Sequence, residues 1–240
     1  MGGTVYINDE KLQISRGCVR DVEVRNIFGF NTAIGTEYIP AWENSAAYVY
    51  PTEELQMTAI SDNAADTAVT ILINGLDINY AIKKVTITLN GTTPVNVGTF
   101  FRINDLITLS GNAIGNVTVA NNGITYAKIT AGAGKNEASL FTVPAGYEFY
   151  LYRIDAFSAT ATLNNRYLFF RNFTRQPNGT ILRIAETTFL EQMNIQRRIP
   201  FRYAEKTDIQ LQLKSSAGTQ EIGIFSEGVL VKVPRTSVIG

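Results

Sequence analysis

Between Val85 and Asn90 the apolar side chains fall at Val85, Ile87 and Leu89, while Thr86, Thr88 and Asn90 take the alternate positions. A period of two is what a strand with one buried and one wet face requires. Asn90-Gly91 follows, a pair that tolerates the positive φ of a tight hairpin. The same pattern recurs at residues 55–60, 69–73, 84–89, 100–103, 107–109, 117–119 and 125–129, each run closed by Gly, Asn or Asp. Seven short strands at this spacing predict a β-sandwich.

Ala131-Gly132-Ala133-Gly134-Lys135-Asn136 then breaks the pattern and reads as a flexible linker. Beyond it the runs lengthen, at residues 147–157, 167–174, 180–190, 208–214 and 221–232, and Ile209-Gln210-Leu211-Gln212-Leu213-Lys214 alternates completely. Long strands with one irregular return, residues 194–207 through Pro200, predict a jelly roll or related Greek-key sandwich. Before Leu55 the apolar runs are short and scattered among charges and glycines, so residues 1–50 read as an extended N-terminal arm and entry segment. The expected architecture is therefore all-β: an arm (1–50), a first β-sandwich (51–134) and a second, jelly-roll-like β-sandwich (135–240).

Charge is balanced, with 21 basic and 21 acidic residues, but unevenly placed. Residues 1–120 hold 7 Lys/Arg against 12 Asp/Glu, and residues 121–240 hold 14 against 9. Opposite signs on the two halves suit pairing between neighbouring copies, although ordinary surface variation gives the same offset. No apolar run approaches the length of a membrane span, and Met1-Gly2-Gly3-Thr4 does not open a secretory signal. A single cysteine, Cys18, leaves no internal disulfide and no multi-cysteine zinc site. The sequons at Asn90, Asn116, Asn172 and Asn178 read as unglycosylated turns or strand ends.

The chain has no histidine. That removes the usual general base near neutrality, the imidazole of Ser and Cys triads and the commonest zinc ligand. No acidic pair stands out on one strand face, so no enzyme, cofactor or metal is expected. Asp62 and Asp66 are the best oxygen ligands, but six to eight oxygens are needed for calcium, and a solvated turn is the simpler reading. The Gly-rich break lacks the first Gly and the final Ser/Thr of a phosphate-binding loop.

Two groups are candidates for contact with partners. Trp42, Tyr48 and Tyr50 lie in an aromatic stretch bracketed by Pro40 and Pro51 and read either as a partner anchor or as a small satellite core. Trp42, Tyr48 and Tyr50 are also the residues a sugar-binding platform would use. Arg166, Arg171, Arg175, Arg197, Arg198 and Arg202 interleave with aromatics in the second half, the mixture that protein interfaces collect. A pI near 6.4 argues against a dedicated nucleic-acid binder.

The segments Gly29-Phe30-Asn31-Thr32-Ala33-Ile34-Gly35, Gly75-Leu76-Asp77 to Tyr80, Thr88-Leu89-Asn90-Gly91-Thr92-Thr93, Phe101-Arg102-Ile103-Asn104, Tyr126-Ala127-Lys128-Ile129 and Phe141-Thr142-Val143-Pro144-Ala145-Gly146 occur in an order that spans most of the chain. With Lys206-Thr207-Asp208-Ile209 and Phe225-Ser226-Glu227-Gly228, the series resembles virion structural proteins of aquatic tailed bacteriophages. The resemblance implies a particle component made in the host cytoplasm, without catalytic residues. The expected role is a capsid decoration or cement protein, a homo-oligomer, with a trimer favoured, bound to the major capsid protein. A tail, collar or fibre component is the alternative within that class, and a carbohydrate-binding module for host attachment is the alternative outside it.

Overall fold

The computed structural model describes residues 10–158 and 166–233. One short helix, α1 (Glu10–Ser15), precedes strands β1 (Val22–Ile34), β2 (Ile39–Pro40), β3 (Leu55–Ser61), β4 (Thr70–Leu76), β5 (Ile82–Thr88), β6 (Val95–Phe100), β7 (Arg102–Ser110), β8 (Val117–Asn121) and β9 (Ile124–Ile129). They continue as β10 (Leu140–Thr142), β11 (Tyr147–Ser158), β12 (Leu168–Arg175), β13 (Ile181–Phe189), β14 (Gln192–Tyr203), β15 (Asp208–Ser215) and β16 (Gln220–Lys232). The fold is all-β and antiparallel throughout.

Among the described residues the strands form four sheets. Sheet I has the order β1-β16-β11-β14, and sheet II the order β10-β15-β12-β13 with β2 also on β15. Sheet III is β6-β3-β8-β9 and sheet IV is β5-β4-β7. Ile27, Phe149, Ile154, Phe170, Tyr203, Leu211 and Ile224 belong to one apolar core drawn from sheets I and II. A second core, from sheets III and IV, gathers Met57, Ile71, Ile73, Phe100, Leu106, Val117 and Ile129.

This arrangement corrects the expected arm. Val22 to Asn31 pair residue by residue with Val231 to Ile222 of β16, so β1 is a full strand of sheet I, and β2 pairs with Gln212 and Leu213. β1 is only partly apolar because its exposed first half carries Glu23, Val24 and Asn26, and only the second half meets the core. An isolated reading of the first 50 residues has no access to a partner strand nearly 200 residues away. Residues 1–9 lie outside the described residues.

Other differences have local causes. Asn90-Gly91 does form a tight turn, with Gly91 at φ +57° and the Thr93 amide donating to the Asn90 carbonyl at 3.0 Å. It does not close a hairpin within one sheet, because β5 belongs to sheet IV and β6 to sheet III. The Gly-rich break is not a free linker: Asn136 is buried, its amide donates to Leu106 and its side-chain oxygen accepts from the Leu106 amide at 2.8 Å. The expected irregular return at 194–207 is mostly strand, since β14 pairs with β11 on both sides of an irregularity. Asn172 is no strand end either, but a buried residue of β12 whose amide group donates to the Tyr203 hydroxyl.

Candidate functional site

The densest polar constellation lies where β7 of one core meets the other core. Arg102 opens β7 and is buried, with Nε and Nη2 donating to the two carboxylate oxygens of Asp208 at 2.8 and 3.0 Å. Its Nη1 donates to the carbonyls of Pro51 and Phe101, and Thr142 Oγ1 donates to Asp208 Oδ1 at 2.7 Å. The guanidinium also lies 3.9 Å from the Phe101 ring centroid and 4.7 Å from that of Tyr50. A planar guanidinium suits both contacts, since its edge donates in a fork while its face stacks. Burial disfavours the Arg102 charge, but the paired Asp208 carboxylate more than compensates and raises the guanidinium's proton affinity.

Around this pair the seam is closed by reciprocal bonds. Asn104 and Thr142 exchange two hydrogen bonds at 2.9 Å each. Arg25 of β1 donates to Asp105 at 2.7 Å and lies over the Phe141 ring. Ser139 Oγ donates to the Leu211 carbonyl while accepting from the Ala41 amide. Apart from Arg25 Nε, which is buried without a partner among the described residues, these groups are spent on one another, which is how buried polar groups avoid a desolvation penalty.

Trp42 and Tyr50 belong to this interior. Both are buried, Tyr48 is half-buried, and Tyr48 makes edge contacts with Trp42, Tyr50 and Tyr126 at centroid separations of 5.3, 5.0 and 6.4 Å. They are thus a correction to the expected anchor and to the expected sugar platform: the stretch is a small core under the crossing between the two larger ones. Aromatic rings fill such a gap because they supply large area and one polar edge, here Trp42 Nε1 donating to the Ala46 carbonyl at 2.6 Å.

The arginines divide. Arg171 is half-buried, donates to Gln212 at 2.5 Å and stacks on Tyr38; burial, then the charge of Arg183, lowers its proton affinity. Arg175 is half-buried over Tyr50, and half-buried Arg166 lies beside Gly218. Arg202 is exposed and paired with Glu148. Arg197 and Arg198 are exposed on β14, the outer strand of sheet I, with Arg197 over the Phe201 ring at 3.9 Å.

β14 supplies a feature that residue types alone did not signal. Leu151 pairs with Phe201 and Arg153 with Gln196, so residues 197–200 bulge out opposite the single residue Tyr152. Ile199 at the bulge is 78% exposed. β13, the outer strand of sheet II, adds exposed Ile181 and Leu182, and Leu190 is exposed between the two strands. Two long edges with bare apolar side chains are a liability that proteins usually cover. The signal available in the sequence was Ile199-Pro200 within a run of arginines, where no core face exists for the Ile.

Asp62 and Asp66 act as acceptors for the backbone. Asp66 is buried and accepts from the Ile114 and Gly115 amides and the Ser61 hydroxyl, and Asp62 accepts from the Asn116 amide and side chain. Burial works against the Asp66 charge, yet the Ile114 amide, Ser61 and the Gly115 amide outweigh it and hold the carboxyl below its usual range. Asp66→Asn is expected to cost about 2 kcal/mol, because it turns an acceptor toward donors with a donor of its own. A lowered carboxyl stabilises above the ordinary Asp range and loses that contribution as pH falls through its folded value. The gap to wild type in urea unfolding should therefore be full at pH 7 and narrow below about pH 4. Among the described residues no group of three or more His, Cys, Asp or Glu side chains is placed to hold a metal ion.

Comparison with known proteins finds no family model that matches the chain and no curated protein similar to it. Among solved structures the chain is similar to one from infectious bursal disease virus, Gt strain, at 10% identity over 89% of this chain and 73% of that chain, with a TM-score of 0.19. A score at that level carries no weight for fold or function.

Proposed function

We propose that this protein is a non-enzymatic structural component of a virus particle, a capsid decoration or cement protein that works as a homo-oligomer. The observation that carries the reading is strand order. Counting only the strands of sheets I and II from the N-terminus, with β2 and β10 sharing the second position, the sheets read 1-8-3-6 and 2-7-4-5. That is the order of an eight-stranded double Greek key, the jelly roll found in viral capsid and lectin domains. Sheets III and IV then form a second β-sandwich, inserted between β2 and β10 rather than preceding the jelly roll in the chain.

Fold does not select function, so the reading also leans on how the side chains are used. The polar clusters cross-link strands and the seam, the chain carries no histidine, and the exposed arginines and apolar residues sit on open strand edges. The family resemblance in the sequence supplies the phage assignment and the preference for a trimer. Cyclic assembly covers exposed edges that a monomer leaves bare.

The reading is tested by sedimentation of the purified protein and by its binding to phage heads stripped of accessory proteins. Wild type should be oligomeric and bind heads, at on the order of hundreds of copies per particle if it decorates the shell. The triple variant Arg197→Glu, Arg198→Glu, Ile199→Asp should stay folded and shift toward monomer. A wild-type monomer with no affinity for heads would end the proposal. A few dozen copies or fewer would move it to the tail or collar.

A further inference from the structure

Two connections join the cores, one leaving β2 and one returning to β10, and they meet at a pair of glutamates. Glu43, directly after buried Trp42, accepts a hydrogen bond from the Glu137 amide through Oε1. Its Oε2 is buried and has no hydrogen-bond partner among the described residues. The Glu137 carbonyl accepts from the Phe30 amide of β1 at 3.2 Å, and two residues further on the Ser139 amide donates to the Ala41 carbonyl at 2.8 Å. Glu43 thus closes a ladder that binds both connections to β1 and to each other.

Among the described residues, two charged side chains bear on it. Glu137 stands beside it from the returning connection, and Lys128 of β9 directs its ammonium at the Glu43 backbone carbonyl at 3.4 Å rather than at the carboxyl. Burial raises the Glu137 carboxyl as well, only partly opposed by the charge of Lys135. A carboxylate with one amide donor, one orphan oxygen and a second glutamate alongside is a poor home for negative charge.

We propose that this seam is a pH-operated latch, closed while Glu43 is neutral and loosened when it ionises, because the charge then reaches a buried oxygen with no donor beside Glu137 and the two connections give way from β1 and from each other. The latch does not depend on the particle assignment. Burial, opposed chiefly by the Glu137 amide, pushes the Glu43 carboxyl up to about 7. A carboxyl raised in the folded state stabilises least when ionised: the seam is tightest at acid pH, weakens as pH rises from the ordinary Glu range, and levels off above the folded value.

Hydrogen exchange at the Phe30, Glu137 and Ser139 amides, corrected for the intrinsic pH dependence of exchange, reads the latch directly. Protection should fall about tenfold between pH 6 and pH 8. Glu43→Gln should abolish that fall, and Glu137→Gln should retain most of it. Core amides of β12 and β15 should show no comparable change. Protection that is flat with pH in the wild type, or a Glu43→Gln protein with the same pH dependence, would overturn the proposal. The wild-type profile alone decides it if Glu43→Gln does not fold.

Discussion

Asp208→Ala is expected to destabilise the protein by about 3–5 kcal/mol, because it strands the Arg102 guanidinium in the seam without its partner. Arg102 lies in a cage of Phe101, Tyr50 and the Pro51 carbonyl and has little route to water, with 5% of its side chain exposed. Arg102→Ala should cost a similar amount by orphaning Asp208. The pair itself is not expected to be worth that much, since desolvation offsets most of the attraction. Arg102→Met combined with Asp208→Leu should therefore lose less than either single change. Urea unfolding followed by circular dichroism measures all three. The single variants should also split the unfolding transition in two as the cores come apart, a departure from two-state behaviour. A loss below about 1 kcal/mol for both singles would show that the pair is solvated and the seam held by something else.

Gly29→Val should cost about 3 kcal/mol or more, the upper end for forcing side-chain volume into packed structure. A Cβ at Gly29 meets the Ala41 carbonyl oxygen at 2.3 Å and Ser139 Cβ and N at 2.6 Å. Backbone on both sides makes relief by a rotamer change impossible. Both connections would have to retreat from β1, breaking the Ser139–Ala41 and Phe30–Glu137 bonds together. Gly35→Ala makes a sharp control: among the described residues no atom beyond its chain neighbours lies within 4 Å of its Cβ position, and its change in melting temperature should correspond to no more than about 0.5 kcal/mol. Comparable losses at the two sites would refute the close-approach argument.

The strand content was legible because alternation is a local property. Val85 and Ile87 are half-buried on the inner face of β5 while Lys84, Thr86 and Thr88 are exposed, and Leu89 beyond the strand is buried, as a period of two requires. The same rule misleads at β15. Gln210 and Gln212 alternate with Leu211 and Leu213 and ought to be wet, yet both are buried. Gln212 accepts from Arg171 and also donates to Gln210, so the second face of the strand is covered by a polar layer. Nothing in the hexapeptide encodes the cover, which comes from residues 38–50 and from β12.

The site was less legible than the fold. Trp42 and Tyr50 are the residue types that anchor interfaces and also those that fill cores, and only packing against Tyr48 and Tyr126 separates the two roles. Arg102 and Asp208 sit 106 positions apart, each in an apolar strand context that gave no sign of the other. Ile199 was visible as an isolated aliphatic among arginines, but its exposure depends on the bulge against β11.

By itself the sequence determined that the chain forms strands, that it brings no imidazole, and that a second thiol is missing: these follow from composition and from contacts a few residues apart. Only the tertiary structure decided that the first fifty residues supply β1 and β2 to sheets built largely from the C-terminal half, and that the Arg102–Asp208 pair lies inside. The physical reason is that pairing partners and burial are set by segments brought together across long loops. Short-range periodicity tells a strand which of its faces differ, and says nothing of what will cover them.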